Sequence, residues 1–270
     1  MTGLAETLRS WLVRGEAAVL VTIAATRGST PREAGARMLV GVAQVCGTVG
    51  GGRLEFEAIQ AARTLIESGE AALDMAVPLG TKIGQCCGGH VSLRLERAGP
   101  GCPEELARLE AAERAAFPAV YLFGAGHTGK AIARALSLLP LRLTWIDSRA
   151  GEFPEAIPAG VATIVAARPV DLIAEAGPDA SFLVLTHSHA LDFELAEAAL
   201  LRGDFRYLGL IGSATKRRRF EHWYVARGHR PATLQTLTCP IGLAPVRDKR
   251  PEVIAALVAA EIVVATASPL

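Results

Sequence analysis

The chain has 270 residues, half of them hydrophobic and a fifth charged, which is the composition of a packed globular protein rather than a disordered one. Its 28 Lys and Arg against 27 Asp and Glu give a net charge of +1, which argues against a general nucleic-acid binder. Its five cysteines are an odd number, which suits reduced thiols better than a disulfide framework. We therefore expect a cytoplasmic protein.

The two ends of the chain contain apolar stretches that could be mistaken for targeting or membrane segments. Arg9 and Arg14 interrupt the first stretch, so it does not resemble the apolar region of a secretory signal. The C-terminal run VIAALVAAEIVVATA contains Glu261 and is shorter than the roughly 20 residues that cross a bilayer. We predict a buried helix there and no association with a membrane.

Residues 1–98 predict an α+β domain without regular βαβ units. Apolar periodicity gives a helix, a buried strand, two short strands joined around Gly41, a second helix and two further strands. The expected ranges are 3–14, 17–26, 36–49, 53–69, 72–78 and 90–96. The inward face of the second helix is expected to consist of Leu54, Ile59, Ala62 and Ile66.

The composition changes after residue 98. Residues 99–118 form a Glu-rich and Arg-rich stretch with Pro and Gly at its ends, which predicts a helical connector. Over 119–270 strands alternate with helices, the pattern of a Rossmann-like, doubly wound parallel sheet with right-handed crossovers. The expected strands are 119–123, 142–146, 162–165, 181–186 and 206–211, and the expected helices are 127–138, 169–176, 190–202, 214–228 and 252–265.

Gly124, Gly126 and Gly129 have the G-x-G-x-x-G spacing of a dinucleotide-binding turn. In such a turn the glycines allow a tight bend, the approach of a diphosphate and close packing of the helix on the strand. Asp147 ends the next strand, where a ribose-binding acid is expected. His127 is unusual in this motif and is expected at the mouth of the crevice. A nucleotide is therefore one candidate ligand, although the turn could serve packing alone.

Two other segments of this domain follow predicted strands. THSHALD, residues 186–192, contains an H-x-H pair, but Asp192 stands three residues after His189 and the segment lacks the third His of a metallo-hydrolase. We expect it to line the crevice or to cap a helix. The basic run from Lys216 to Arg219 is interpreted as a solvated helix face, of which one or two side chains could face a phosphate.

In the first domain, CGTVGGGRLEFEA places Gly50, Gly51 and Gly52 between a strand and a helix, with Arg53 at the helix start. Successive amides beside a helix N-terminus suit an anion. The alternative is a turn that needs positive φ, for which one glycine would usually be enough. We therefore expect this turn to favour a ligand.

The segment GQCCGGHVSL contains the adjacent thiols Cys86 and Cys87, followed by Gly88 and Gly89. Buried cysteines often serve as small apolar side chains, but flanking glycines clear space around these two. No second cluster completes four zinc ligands, and no His–Asn or His–Asp pair accompanies a nucleophile. A soft thiolate near an anion-binding turn suits a ligand that has both a phosphate and a soft metal centre.

These segments resemble the xanthine dehydrogenase accessory protein (XdhC/CoxI) family. GSTPREAGARMLV, GTVGGGRLE and QCCGGHVSLRLE resemble its N-terminal signatures. FGAGHTGKAIA, WIDSR, THSHALD, YLGLIGSATKRRRF and PIGLAPVRDKRPEVIAALVAAEIV resemble its C-terminal half. After PIGL the family often continues Asp-Ile-Gly, where this chain has Ala244-Pro245-Val246, so the role of the 244–251 loop stays open.

The resemblance implies a non-enzymatic chaperone of the molybdenum cofactor, molybdopterin. Such a protein protects the cofactor while its terminal oxo ligand is exchanged for sulfide, and delivers it to the molybdenum subunit of apo xanthine dehydrogenase. A cysteine desulfurase would supply the sulfur, and cofactor biosynthesis proteins would supply the cofactor.

On this interpretation the Gly50–Gly52 turn and Arg53 hold the cofactor phosphate. Thr30 and Arg32, in the loop TRGSTPREAGARML, bind the pterin or its phosphate. Cys86 or Cys87 contacts molybdenum or relays sulfur, and Gly88 and Gly89 give the cofactor access.

Two other functions fit parts of the sequence. An NAD(P)-dependent oxidoreductase would use the glycine turn and Asp147, with His127 or His189 as the acid. It would leave the thiols and glycines of the first domain unexplained. A purely structural assembly factor would bind the target enzyme and no cofactor. A homodimer is the general expectation for a soluble protein.

Overall fold

The computed structural model describes residues 3–79, 88–242, 246 and 248–267. Cys86, Cys87 and part of the 244–251 loop therefore lie outside the described residues. The chain forms two compact units, Met1–Glu113 and Arg114–Leu270. The first contains an antiparallel sheet and the second a parallel one, which confirms the predicted fold class. The predicted domain limits of 1–98, 99–118 and 119–270 stay predictions.

The first unit is built on five antiparallel strands in the order β3-β2-β1-β5-β4. Its elements are α1 Leu4–Val13, β1 Ala18–Arg27, β2 Arg37–Gly41, β3 Val45–Gly47, α2 Gly52–Ser68, β4 Ala72–Pro78, β5 His90–Arg97 and α3 Cys102–Ala115. The central strand β1 is covered on both faces, because Val21 packs in the core beneath α2 and Ala18 packs with α1 and α3. This double cover explains its continuous apolar sequence.

The buried face of α2 differs from the predicted one. It consists of Leu54, Ala58, Ala62 and Leu65, whereas Ile59 and Ile66 are only partly buried at its sides. The predicted face favoured the larger isoleucines. In the structure the small alanines bring the helix close to the sheet and the isoleucines flank the contact. Gly69 ends the helix in the left-handed conformation, as expected.

α3, the centre of the predicted connector, packs within the first unit. Glu110 Oε1 accepts hydrogen bonds from the amides of Leu4 at 2.6 Å and Ala5 at 3.3 Å. Its carboxylate thus caps the N-terminus of α1, where the helix dipole favours negative charge. Leu106 of α3 is buried against α1. The helix therefore stabilises the first unit.

The second unit has a six-stranded parallel sheet in the order β11-β10-β9-β6-β7-β8. Its elements are β6 Ala119–Phe123, α4 His127–Leu136, β7 Arg142–Asp147, β8 Val161–Val165, α5 Asp171–Glu175, β9 Ser181–Val184, α6 His189–Arg202, β10 Tyr207–Leu210, α7 Ala214–Ala226, β11 Leu237–Thr238 and α8 Pro251–Ala267. The two-residue strand β11 was not predicted. The strand order reverses between β6 and β9, and in such sheets ligands bind at the carboxyl ends beside that point.

α8 is buried on one face only, so the predicted buried helix is wrong in part. Ala255, Val258 and Ile262 pack in the core that contains α4. Val263 and Val264 are exposed on the other side, because α8 is an outer layer of the sheet with no further element over it in the described part of the unit. No helix among the described residues is both long and apolar enough to cross a bilayer.

Candidate functional site

The loop between β1 and β2 contacts both of the other glycine segments of the first unit. A Cβ on Gly50 would lie 2.5 Å from Cγ of Pro31. A Cβ on Gly28 would lie 3.2 Å from Cα of Gly89. These approaches leave little or no room for a side chain. The structure thus brings together three segments far apart in sequence, residues 28–32, 50–52 and 88–89, which we call the glycine cluster.

The Gly50–Gly52 turn already contains an anion, the carboxylate of Glu55. Its Oε2 atom accepts hydrogen bonds from the amides of Val49 and Gly51, both at 3.1 Å, and from the Thr48 hydroxyl. The Gly50 amide donates to Thr48 Oγ1 at 3.1 Å. Our expectation that the turn amides face an external phosphate therefore needs correction for Gly50 and Gly51, whose amides bond inside the turn. The phosphate contact predicted for Gly52 stays a prediction.

The number of glycines in this turn has a backbone explanation. Gly50, Gly51 and Gly52 have φ values of 126°, 74° and 60°, all in the region that other residues rarely adopt. We expected one glycine to be enough for such a turn. Because the geometry requires all three, their number is not in itself a sign of a ligand.

The predicted cationic residues of the first unit have different surroundings. Arg53 Nε donates to Glu57 Oε1 at 2.7 Å on the exposed side of α2, so its charge is shared with a neighbour on the same helix. Arg32 is exposed on the loop next to Pro31, and Thr30 is half-buried. Arg32 has no carboxylate partner among the residues that the structure describes. Of the two predicted arginines, Arg32 is therefore the better placed to bind an anion at the glycine cluster.

Arg27 and His90 form a pair that sequence reasoning missed. They lie directly opposite each other at the ends of β1 and β5, and both are exposed. Opposite residues of an antiparallel pair share a face of the sheet. Within the described part of the chain, Arg27 also lacks a carboxylate partner. The sequence did contain a signal for this pair, because Arg27 directly precedes Gly28 and His90 directly follows Gly89.

Gly88 and Gly89 have different environments. Gly89 is buried, and its carbonyl oxygen accepts a hydrogen bond from the Leu79 amide at 2.8 Å. Gly88 is exposed, and a Cβ there would meet no atom within 4 Å among those described. Packing therefore explains Gly89 and leaves Gly88 without a structural requirement. The contact predicted for Cys86 and Cys87, which precede Gly88, stays a prediction.

In the second unit, the glycine turn after β6 has the close contacts expected of its motif. A Cβ on Gly124 would lie 2.1 Å from the carbonyl oxygen of Leu185, and one on Gly129 would lie 2.1 Å from that of Gly124. Gly126 faces open space, where a Cβ would meet nothing within 4 Å. The first and third glycines therefore serve packing, and the second leaves the helix N-terminus accessible.

Asp147, the expected ribose-binding acid, has its carboxylate occupied by protein groups. Oδ2 accepts from the Ala125 amide at 2.7 Å, and both oxygens accept from the Arg149 guanidinium at 3.0 and 3.1 Å. Burial alone would raise the pKa of this carboxyl, but the hydrogen bonds from Arg149 and Ala125 outweigh it and hold that pKa below its usual value. In this geometry Asp147 fixes the glycine turn.

A small cavity lies beside Asp147. The cavity between Asp147, Thr186 and His187 has a volume of only about 10 Å³, which is the space of a single water molecule. His127, expected at the mouth of this crevice, lines a groove of about 500 Å³ between α4 and α8. The nucleotide contact predicted for the glycine motif and Asp147 stays a prediction.

The segment THSHALD is organised around a buried ion pair. Asp192 is 1% exposed and accepts hydrogen bonds from the Thr186 amide and hydroxyl, both at 2.8 Å. It also pairs with Lys216 at the start of α7. Ser188 caps α6 through the Leu191 amide, in agreement with the capping alternative. Within the described ranges, no cluster of three or more His, Cys, Asp or Glu side chains could hold a metal ion.

The basic run of α7 is only in part a solvated face. Lys216 pairs with Asp192, and the Arg217 guanidinium donates to the carbonyl oxygens of Leu234 and Leu237 at 3.2 and 2.9 Å. Arg218 and Arg219 are exposed. The first two cations thus hold the fold, and the last two are available to solvent or to a ligand.

Family models match both units. The XdhC Rossmann domain matches residues 120–262, and the model of the XdhC and CoxI family matches residues 11–76. The chain belongs to the XdhC family. This membership confirms the resemblance inferred from the glycine and cysteine segments, and the Rossmann model agrees with the strand order of the second unit.

Two similar proteins extend the comparison of this XdhC-family chain. It is 27% identical over 250 residues to the uncharacterized protein YqeB of Escherichia coli strain K12. The matched region covers 90% of this chain and 42% of YqeB. The chain thus spans less than half the length of that relative. A crystal structure of a xanthine dehydrogenase from Bacillus halodurans matches it with a TM-score of 0.76 at 19% identity, over 99% of this chain and 98% of the other. At that identity the likeness establishes the fold alone.

Proposed function

We propose that this XdhC-family chain is a non-catalytic accessory protein that binds the molybdenum cofactor as cargo and delivers it to apo xanthine dehydrogenase. The observation that carries the proposal is the glycine cluster. The segment directly after Cys86 and Cys87 packs against the loop of Thr30 and Arg32, so the family's N-terminal signatures meet at one surface of the first unit.

The chemistry of this surface suits the phosphate end of the cargo. Arg27 and Arg32 are exposed cations that have no carboxylate partner in the described part of the chain, and His90 lies opposite Arg27. Guanidinium groups bind phosphate through paired, charge-assisted hydrogen bonds. We assign the phosphate to these side chains rather than to the amides of Gly50 and Gly51, because those amides already donate to Thr48 and Glu55.

The thiols supply the other half of the proposed site. Thiolate sulfur is a soft ligand and suits a soft metal centre. We assign contact with molybdenum, or relay of sulfur to it, to Cys86 and Cys87. In this role the protein holds the cofactor while its terminal oxo ligand is exchanged for sulfide. A cysteine desulfurase is the proposed sulfur donor, and the molybdenum subunit of xanthine dehydrogenase is the proposed recipient.

The test is the pterin content of the purified protein. The chain is expressed in a host that makes molybdenum cofactor and in a matched host that lacks its biosynthesis, and the extracted pterin is oxidised and measured by fluorescence. We expect a stoichiometric amount of pterin from the first host and activation of apo xanthine dehydrogenase by that material. Equal background pterin from both hosts would overturn the proposal, and binding of apo enzyme without pterin would favour the structural assembly factor.

A further inference from the structure

A groove with a volume of about 460 Å³ lies between α6 and α7, beside the basic run of the second unit. This volume is in the range of small-molecule sites. Its walls include His189 and Phe193 of α6, and Lys216, Arg219 and Trp223 of α7. The groove begins at the loops after β9 and β10, at the carboxyl end of the parallel sheet where such folds bind ligands, and extends along the two helices to Phe193 and Trp223.

One wall of this α6–α7 groove is aromatic and held in place by packing. The rings of Phe193 and Trp223 lie 5.5 Å apart, and Phe193 also contacts the buried ring of Phe220 at 5.2 Å. The guanidinium of Arg227 lies over the Trp223 ring at 4.8 Å. The ring of Phe220 also stacks on Trp223, so a planar heteroaromatic ring would lie against Phe193 and the edge of Trp223, both of which are already ordered by packing.

The other end of the groove is cationic. Lys216 is fixed by its buried pair with Asp192, so its charge is largely compensated. Arg219 is exposed and, among the described residues, has no carboxylate partner. Ser213 and Gly212, at the start of α7, line the same groove and add the partial positive charge of the helix N-terminus. Arg219 is therefore the side chain best placed to bind an anionic group.

The cavity beside Asp147 is much smaller than the α6–α7 groove. The cavity next to Asp147 is about 10 Å³, and the Asp147 carboxylate is bonded to Ala125 and Arg149. The α6–α7 groove combines a ring-sized apolar wall with a cation that lacks an internal partner. This combination of shape and charge makes the α6–α7 groove a candidate ligand site of the second unit.

We propose that the α6–α7 groove binds a phosphate monoester of a planar heteroaromatic base, of the nucleoside monophosphate class. The base lies against Phe193 and Trp223, and the phosphate is bound by Arg219 next to the start of α7. This site lies in the second unit, whereas the proposed cargo surface lies in the first, and it does not depend on the glycine motif or on Asp147.

The test is calorimetric titration of the full chain, purified from a host without molybdenum cofactor, with AMP, GMP, adenosine and inorganic phosphate. We expect AMP or GMP to bind more tightly than adenosine or phosphate. Arg219→Gln should weaken that binding about tenfold or more, as expected for loss of a hydrogen bond to a charged group. Arg218→Gln is the matched control, because Arg218 is the exposed neighbour on the same helix and does not line the groove.

Two further variants locate the ligand. Trp223→Phe should abolish nucleotide-induced quenching of tryptophan fluorescence, because Trp11 and Trp145 are buried. Gly126→Ala, which has space for its methyl group, should leave the affinity unchanged. The proposal is overturned if neither nucleotide binds, if phosphate alone binds as tightly, if the two arginine variants behave alike, if the quenching persists in Trp223→Phe, or if Gly126→Ala is the variant that loses binding.

Discussion

The Cβ position of Gly89 lies 2.2 Å from the carbonyl oxygen of Ser29, so residue 89 must be glycine for the β1–β2 loop to pack where it does. The neighbouring Gly88 has no such constraint, since its Cβ position has no described atom within 4 Å. We therefore assign different roles to the two adjacent glycines: Gly89 allows the loop to pack, and Gly88 gives the proposed cargo access to the thiols.

Alanine substitutions distinguish those roles. Gly89→Ala should lower the free energy of unfolding by about 1–3 kcal/mol, the usual cost of overpacking. Gly88→Ala should change it by less than about 0.5 kcal/mol, as for most surface positions, and yet reduce the pterin retained by the protein. Urea unfolding and pterin extraction measure the two effects. Full retention of pterin by Gly88→Ala would contradict the access role.

Arg32 should contribute to cargo binding and not to stability. Arg32→Gln removes an exposed cation of the glycine cluster, and we expect cofactor affinity to fall about tenfold with unfolding unchanged. The control is Arg108→Gln on α3, whose side chain is 74% exposed and pairs only with Glu105 among the described residues. Competition of each variant with the wild-type protein for limiting cofactor gives the ratio of their cofactor affinities. Equal retention by both variants would argue against Arg32 as a phosphate ligand.

Asp147 should make stability depend on pH in the acid range. Its folded-state pKa is below the usual value, so its contribution is complete above the unfolded-state pKa of about 3.9 and is lost as the pH falls through the folded-state pKa. We expect Asp147→Asn to cost about 1–3 kcal/mol at neutral pH. The difference from wild type in urea unfolding should shrink below about pH 4. A difference that does not change with pH would be inconsistent with an ionised, hydrogen-bonded Asp147.

The ion pair of Asp192 and Lys216 is buried, with side chains 1% and 11% exposed. Asp192→Asn leaves the Lys216 charge uncompensated and should destabilise the protein by about 3–5 kcal/mol. The matched control is Asp171→Asn, which breaks the exposed pair with Arg168 and should cost less than about 1 kcal/mol. Denaturant unfolding compares them. Similar costs for the two variants would mean that the buried pair does not hold α7.

Much of the fold could be predicted from the sequence, because strand and helix periodicities and the Gly124–Gly129 spacing are local signals. The partners of charged groups could not be predicted in the same way. Glu55 accepts hydrogen bonds from the turn before its own helix, and Arg149 donates to the Asp147 carboxylate. Both contacts depend on side-chain positions in three dimensions. The α6–α7 groove was missed for the same reason, since Phe193 and Trp223 lie far apart in the chain.

The most direct measurement of the central claim is pterin retention by the double variant Cys86→Ala/Cys87→Ala, compared with Cys102→Ala, whose thiol is half-buried at the start of α3. Both proteins are purified from a cofactor-producing host, and their folding is checked by urea unfolding. Our account predicts that the double variant loses most of its pterin, whereas Cys102→Ala keeps the wild-type amount. Wild-type pterin content in a folded double variant would contradict it.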